Sequence, residues 1–392
     1  MQTSNRANAV QPSATVTINA KAAQLKSQGL DVINLSVGEP DFDTPQSIKN
    51  AAIEAINAGY TKYTAIDGIP ALKDAIIKKF QTENHLTYSR DQILVSCGAK
   101  HSLYNLMQAL INPGDEVIIP APYWVSYPAM VALAEGTSII VPTNISTSFK
   151  ITARQLEKAI SPKTRLLILN SPSNPTGMAY TQNELKELAD VLCQHPNIVI
   201  TSDDMYEHIF WGHEKFLNIV NVCPELYERT IVCNGVSKSY AMTGWRIGYA
   251  AGLQVMIKAM AKVQSHSTSN PTSISQYAAI AALQGNTEFI HNLKKIFKER
   301  HDFIQQQLSA MPGVICPPAD GAFYVFPNVE KAIQRQGLKN DIALSELILE
   351  KAHVAVVPGT EFGAPGHIRL SYATNIEMLG NAVERLRPFI SG

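Results

Sequence analysis

The residues best placed to do chemistry lie in Asn234-Gly235-Val236-Ser237-Lys238-Ser239-Tyr240-Ala241-Met242-Thr243-Gly244-Trp245-Arg246. Residues 230–233 before this stretch and 247–251 after it read as short buried strands. A lysine set between small residues on such a turn is an unusual place for a surface cation. Arg246, eight positions on, adds a second fixed positive charge. An amine nucleophile beside an anion binder suits a cofactor that carries both a carbonyl and a phosphate. The plainer reading is a solvated loop lysine, so the choice between them turns on the rest of the chain.

Further polar residues recur where apolar runs end. Cys97-Gly98-Ala99-Lys100 joins a strand to a helix start, where unpaired backbone N–H groups and the helix dipole suit a phosphate. An ordinary strand–helix turn reads equally well there. Asn170-Ser171-Pro172-Ser173-Asn174-Pro175-Thr176-Gly177 has two X-Pro bonds, making a stiff loop open to cis bonds that would hold Asn174 firmly. Asp203 closes a very apolar run and either caps a following helix or faces a ligand cation, with Tyr206 on the same helical face. Trp124 in Pro122-Tyr123-Trp124 offers a flat face to a ring or to the core. Arg369 sits inside the apolar stretch His367-Ile368-Arg369-Leu370-Ser371, where it needs a carboxylate ligand or an internal salt bridge. Gly38 marks either a close backbone approach or a simple turn. Together these are the parts a pyridoxal-phosphate site requires: a Schiff-base lysine, an acid for the pyridine nitrogen, an aromatic ring to stack, phosphate donors and an arginine fork for a substrate carboxylate.

The elements that must position these residues alternate along the chain. Strands are expected at 92–96, 116–120, 138–142, 166–170, 198–202, 230–234 and 247–251, with helices at 99–111, 123–134, 153–159 and 182–194 between them. The strands are Ile, Leu and Val runs without strict alternation, which implies a mainly parallel seven-stranded sheet covered by helices on both faces. Ahead of it, residues 1–13 read as a loose polar arm. Helices are expected at 15–28, stopped by Gly29, at 45–58, capped by Thr44 with Pro45 first, and from Gly68-Ile69-Pro70 to about 84. Residues 254–312 read as mostly helical. Beyond Pro312-Gly313, strands at 322–326, 354–357 and 367–371 and helices near 342–352 and 376–387 form a smaller α+β unit, which the N-terminal segment with its strand at 31–35 joins. The expected division is an arm and part of the small domain at 1–45, a large cofactor-binding domain at 46–312 and a small domain at 313–392.

Composition narrows the classes of function. The 392 residues carry 33 basic and 33 acidic side chains and 45% hydrophobic residues, so no basic field is offered to nucleic acid or to a membrane surface. No run approaches the ~20 apolar residues of a membrane helix, and the first thirty residues lack an apolar signal core, so a cytoplasmic protein is expected. Five cysteines without a CxxC pair imply reduced, mostly buried thiols, and the histidines show no metal-ligand spacing, so no metal is expected.

Across almost its whole length the chain resembles the fold-type I, class I pyridoxal-phosphate aminotransferases, in their bacterial aspartate aminotransferase branch. The resemblance is carried by Pro12-Ser13-Ala14-Thr15, Val37-Gly38-Glu39-Pro40-Asp41-Phe42-Asp43-Thr44-Pro45, Thr61-Lys62-Tyr63, Pro122-Tyr123-Trp124-Val125-Ser126-Tyr127-Pro128, the 170–177 loop, the lysine stretch, Gly321-Ala322-Phe323-Tyr324 and the Arg369 strand. It implies that Lys238 links covalently to the cofactor and moves the substrate Cα proton, that Asp203 keeps the pyridine nitrogen protonated, and that Tyr206 and Asn174 hold the phenolic oxygen. Trp124 would stack on the ring. Gly98, Ala99, Ser237 and Arg246 would bind the phosphate together with Tyr63 of a second subunit, which makes the enzyme a homodimer. Arg369, the Gly38 backbone and Asn174 would take the substrate α-carboxylate, and Lys100 beside the cofactor would meet a side-chain carboxylate. The implied reaction is amino transfer from L-aspartate to 2-oxoglutarate in two half-reactions. Some relatives also use prephenate and carry a basic residue just before Pro-Ser-Ala-Thr; here that position is the neutral Gln11. A broad-specificity transaminase, a lyase of the same fold and a ligand-binding regulator are the alternatives, the last disfavoured by an N-terminus too short for a DNA-binding domain.

Overall fold

The computed structural model describes residues 2–12 and 14–391. Its strands among these residues are β1 (Ile33–Asn34), β2 (Ile93–Ser96), β3 (Glu116–Ala121), β4 (Thr137–Pro142), β5 (Thr164–Asn170), β6 (Val199–Asp203), β7 (Thr230–Gly235), β8 (Gly248–Ala251), β9 (Tyr324–Val325), β10 (Val354–Ala355), β11 (Val357–Pro358) and β12 (Ile368–Ser371). Seven of them form one sheet in the order β2-β8-β7-β6-β5-β3-β4, parallel except where β8 pairs with its two neighbours. All seven expected strands are present, and the mainly parallel sheet is the one their composition implied.

The strands lack polar alternation because both faces are buried, yet successive side chains still part to opposite sides. Ile93 and Val95, Ile118, Leu167 and Leu169, Val232, and Tyr249 and Ala251 enter one core. Leu94, Val117 and Ile119, Leu166 and Ile168, Ile231 and Ala250 enter the other. The first core is closed by helices Pro70–Lys79, Gln182–Cys193 and Ser273–Gln284, the second by Ala99–Leu110, Ser126–Leu133 and Gln254–Ser265. Gln182–Cys193 shows how local sequence sets such a helix. Thr181 and Glu184 form a reciprocal cap, and Leu185, Leu188, Ala189 and Leu192 bury one stripe.

A third core gathers the C-terminal elements. The antiparallel sheet β11-β12-β9, the β1–β10 parallel pair and the helix Ile376–Ile390 pack with Ile33, Leu35, Phe297, Ile304 and Leu308. The N-terminal strand therefore does join the smaller α+β unit. The 22-residue helix Glu288–Ser309 gives Ile290 to the first core and its later turns to the third, spanning both.

Several local expectations are corrected. Thr44 does not cap its helix, which runs Gln46–Asn57, because its hydroxyl donates to Ala241 O at 2.6 Å and accepts from Trp245 Nε1 at 3.0 Å. The helix opened by Pro70 ends at Lys79 and continues as a wider turn, Phe80–Asn84. The 354–357 strand divides at Val356, since β10 pairs with β1 and β11 with β12. The arm holds a short helix, Asn5–Asn8, capped by Ser4, and a further helix, Glu330–Arg335, was not foreseen. The thiols are not mostly buried: Cys233 and Cys316 are, Cys97 and Cys223 are partly exposed, and Cys193 is exposed. Gly29 does stop its helix, Ala14–Ser27, in a left-handed conformation at φ 87°.

Candidate active site

The C-terminal ends of the parallel strands open into a cavity of about 330 Å³. Open α/β sheets bind ligands at this edge. Gly38, Ala99, Lys100, Trp124, Asn174, Asp203, Tyr206, Ser237, Lys238, Arg246 and Arg369 all line it. Residues from seven separate stretches of sequence thus meet in one place. Gly98 stands just behind, at φ 83°, and a Cβ there would lie 2.3 Å from Arg246 Nη2. Only glycine allows both that backbone and that approach. Tyr63 is not part of its own chain's cavity and is 91% exposed.

Lys238 leaves β7 on a turn whose other residues are buried, and its Nζ donates to Gly38 O at 2.5 Å. Burial lowers its pKa to about 8, with Glu39 opposing and Arg246, Arg369 and Lys100 assisting. Part of the population is therefore a neutral amine near neutral pH. Arg246 holds its left-handed backbone (φ 57°) while its guanidinium donates to Thr243 O and Cys97 O at 2.8 and 3.2 Å.

Asp203 ends β6, buried to 4% exposure, and accepts from Tyr127 Oη at 2.5 Å. Burial raises its pKa to about 6, against the Tyr127 and Met205 hydrogen bonds and the Lys238 charge. No helix follows for it to cap, because residues 205–208 form turns instead, although its Oδ1 accepts the Met205 N–H at 3.4 Å. Tyr206 points across to Tyr324, with the two hydroxyls 2.9 Å apart.

Asn174 is held as its loop predicted. Ser171–Pro172 is cis, Asn170 Oδ1 accepts the Asn174 N–H at 2.8 Å, and Asn170 Nδ2 donates to Asp203 O at 2.9 Å. Asn174 Oδ1 then accepts from Arg369 Nη1 at 3.0 Å, and Arg369 Nη2 donates to Ser36 O at 2.5 Å. Arg369 is 2% exposed, lies against the faces of Tyr324 and Phe362, has no salt bridge among the described residues, and its Nε has no partner. A buried guanidinium without a counter-charge calls for an anionic ligand.

Lys100 stands at the rim with its ammonium 4.8 Å from the Trp124 ring centre. Partial burial, then Arg246, lower its pKa. Trp124 precedes the helix Ser126–Leu133 instead of beginning it, and its ring meets Tyr127 edge-on at 5.4 Å. Thr15 and Val16 of the helix Ala14–Ser27 also line the cavity. Ser13 lies outside the described residues, and Gln11 is exposed.

The sequence reading assigned no role to Tyr127, Tyr324 or Ser36. Tyr127 had a usable signal, standing three residues after Trp124 on a helix. Tyr324 and Ser36 had none, because their partners lie more than a hundred residues away.

These residues fit pyridoxal phosphate. The helix Ala99–Leu110 begins without a side-chain cap, leaving N–H donors beside Arg246 for a phosphate. The buried Asp203 carboxylate suits a cationic ring nitrogen, the Lys238 amine of lowered pKa suits a carbonyl, and the orphaned Arg369 Nε suits a carboxylate.

Known proteins point the same way. The family described as aminotransferase class I and II matches residues 30–386. An aspartate/prephenate aminotransferase of Nitrosomonas europaea is 52% identical over 397 residues, covering 100% of both chains. An aspartate aminotransferase of Geobacillus stearothermophilus is 50% identical, covering 100% of this chain and 99% of that one. Among solved structures, the aspartate aminotransferase of Rhizobium meliloti superposes with a TM-score of 0.94 at 46% identity, over 100% of this chain and 99% of that one. That of Thermus thermophilus with maleate gives 0.94 at 42%, over 99% and 100%. A sheet covered on both faces, with a lysine, an acid and an arginine at its C-terminal edge, is the framework of a pyridoxal-phosphate-dependent enzyme. The chain belongs to the class I and II aminotransferase family and is a pyridoxal-phosphate-dependent transaminase of its class I, bacterial aspartate branch.

Proposed function

We propose that this transaminase exchanges amino groups between dicarboxylic substrates, with L-aspartate as donor and 2-oxoglutarate as acceptor. The observation that carries this reading is the presence of two separate cations on one cavity: Arg369, buried with an unpartnered Nε, and Lys100 at the rim. A dicarboxylate offers one anionic group to each. The names of the relatives and the maleate in the Thermus thermophilus structure support it.

When bound, pyridoxal phosphate supplies a carbonyl to take the amino group and a ring to withdraw electrons. The chain supplies the rest. Ser237, Arg246 and the N–H groups following Gly98 would hold the phosphate, and Trp124 would cover the ring. Asp203, oriented by Tyr127, would meet the ring nitrogen, and Tyr206 and Asn174 would meet the phenolic oxygen. Arg369, kept in its plane by Asn174 and Ser36, fixes the substrate α-carboxylate, so that the Cα proton is presented to Lys238. That amine, neutral in part near pH 8, would take the Cα proton and return it two atoms along, at the former carbonyl carbon.

The same reading places Tyr63 in the site of a second copy, making the active enzyme a cytoplasmic homodimer. It also divides the chain at 1–45, 46–312 and 313–392; the third core supports the union of Ile33 and Leu35 with the C-terminal elements, while Leu293, Phe297, Ile304 and Leu308 carry that core back across the 312 boundary. A second reading includes prephenate, itself a dicarboxylate, and is favoured by the 52% identical relative. The neutral Gln11 weighs against it.

Lys100→Gln tests the specificity. The KM for aspartate should rise on the order of tenfold, while the KM for a monocarboxylic amino acid should hardly change. An equal change for both would remove Lys100 from substrate recognition. Turnover of prephenate with aspartate as donor decides the second reading.

A further inference from the structure

The two turns that carry Lys238 and Asp203 are joined from behind by a charged cluster that does not line the cavity. Their residues divide by direction. On the turn after β6, Asp203 and Tyr206 face the cavity, while Glu207 and His208 lie on a different surface depression together with Glu83 and Asn84. At the end of β7 and on the turn after it, Ser237 and Lys238 face the cavity, while Asn234 and Ser239 bond to the cluster.

The bonds are specific. Glu207 Oε1 accepts from Lys79 Nζ and, at 2.6 Å, from Asn234 Nδ2; its Oε2 accepts from Asn84 Nδ2 at 2.6 Å. Asn234 Oδ1 accepts the N–H of Gly235 at 2.7 Å, which pins the start of the Lys238 turn. The His208 ring bridges Ser239 Oγ and Glu83 Oε2, each at 2.8 Å. Because the carboxylate only accepts, the Nε2 N–H donates to Glu83, and the second bond joins Nδ1 and the Ser239 hydroxyl. One turn is thus gripped twice by the other, once before Lys238 and once directly after it.

Glu83, Glu207 and His208 are close enough together for a metal ion, but Lys79 already provides the cation. The Lys79 ammonium is fully buried and the Glu207 side chain is 4% exposed. Burial pushes the Glu207 carboxyl up, but the Lys79 and His208 charges and the hydrogen bonds from Lys79 and Asn84 outweigh it and hold the pKa at about 2. A buried ion pair usually adds no more stability than apolar side chains of the same size. Its use here must lie elsewhere.

We propose that Glu207, with Lys79 as counter-ion, and the His208–Ser239 hydrogen bond are positioning residues for amino transfer, setting the Lys238 turn in register against the Asp203–Tyr206 turn. The proposal rests on the roles given above to Lys238 and Asp203. It assigns the cluster no contact with substrate or cofactor. The charged groups felt by Lys238 are Glu39, Arg246, Arg369, Lys100 and Asp203, and His208 is faced by Glu83, Glu207 and the Tyr240 ring. The cluster therefore acts on Lys238 by moving backbone.

Two variants of the holoenzyme test it. In Lys79→Met/Glu207→Met, apolar side chains replace the pair, so the urea unfolding midpoint should fall only by the cost of the Asn84 and Asn234 amides that lose their acceptor. With the register loosened, kcat should fall roughly tenfold to a hundredfold, KM for aspartate should hold within about twofold, and the absorbance–pH midpoint of the lysine-bound cofactor should move. Ser239→Ala removes one hydrogen bond and no charge, and should shift that midpoint and lower kcat in the same sense. If the double variant does not fold, Ser239→Ala decides alone. Unchanged kcat and an unchanged absorbance midpoint in a folded, cofactor-loaded Ser239→Ala protein overturn the proposal. Lys238→Ala is the separate control. Wild-type turnover in that variant would remove the functional reading itself, whatever the cluster variants show.

Discussion

At Asp203 the needs of the folded chain and of the cofactor oppose each other. With no cation against it, the carboxyl titrates near 6 in place of its ordinary 3.8, chiefly because it is buried. A raised folded pKa means that the folded protein holds the proton longer than the unfolded chain does. Its contribution to stability is fully present below about pH 4 and is lost as pH rises through 6, a change of about 3 kcal/mol. The cofactor-free Asp203→Asn protein lacks this titration. Its unfolding free energy should diverge from wild type in its favour between pH 4 and 6, while its turnover with cofactor collapses. Parallel urea-unfolding profiles across that range would show that the carboxyl is not desolvated as described. Lys238 and Asp203 stood out in the sequence because the first sits between small residues on a strand's exit turn and the second closes a very apolar run. Tyr127, which orients Asp203, had a signal in its place three residues after Trp124 but no visible partner. It sits 76 residues away, and only the fold brings its hydroxyl to the carboxylate.

Among the elements, the segment from Ser36 to Asp43 does the most joining for its length. Ser36 O receives Arg369, Gly38 O receives Lys238, and Glu39 receives the Thr243 hydroxyl. Asp41 grips Arg300 through both oxygens at 2.6 and 2.9 Å, and the Phe42 ring meets Phe289 and Phe297 edge-on. The segment thus ties the cavity to the long helix that spans two cores. Asp41→Asn should cost about 2 kcal/mol in urea unfolding, since Arg300 is nearly buried, and should also raise KM for substrate by loosening Ser36 and Gly38. A stability loss without any change in KM would mean that the segment anchors the helix but not the site. The seven main strands were readable because their apolar runs are long and bounded by turn residues. The division at Val356 was not. Val354 to Val357 is one apolar run in sequence, and it parts only because its halves meet different partners. Thr44 failed as a cap for the same kind of reason, its hydroxyl being claimed by Ala241, nearly two hundred residues on.

For the whole molecule, the exposed Tyr63 makes the assembly testable. Tyr60 and, on the helix Gln46–Asn57, Ile53 and Ile56 are exposed as well. If Tyr63 completes the site of a second copy, inactive Lys238→Ala chains and weakened Tyr63→Ala chains, refolded together, should yield mixed dimers with one fully intact site. Activity should then exceed that of either variant alone. No gain on mixing, with dimers present by light scattering, would confine Tyr63 to its own chain. The charges carry a further consequence. The sequence is neutral overall, with 33 basic and 33 acidic residues, yet Lys100, Lys238, Arg246 and Arg369 face one cavity against Asp203. A neutral molecule with one positive mouth attracts anions over little more than a Debye length, about 8 Å at physiological salt. Capture of dianions should therefore be a matter of ionic strength. The association rate of a dicarboxylate in stopped flow should fall steeply as salt is raised, that of a monocarboxylate should fall more gently, and kcat should stay level.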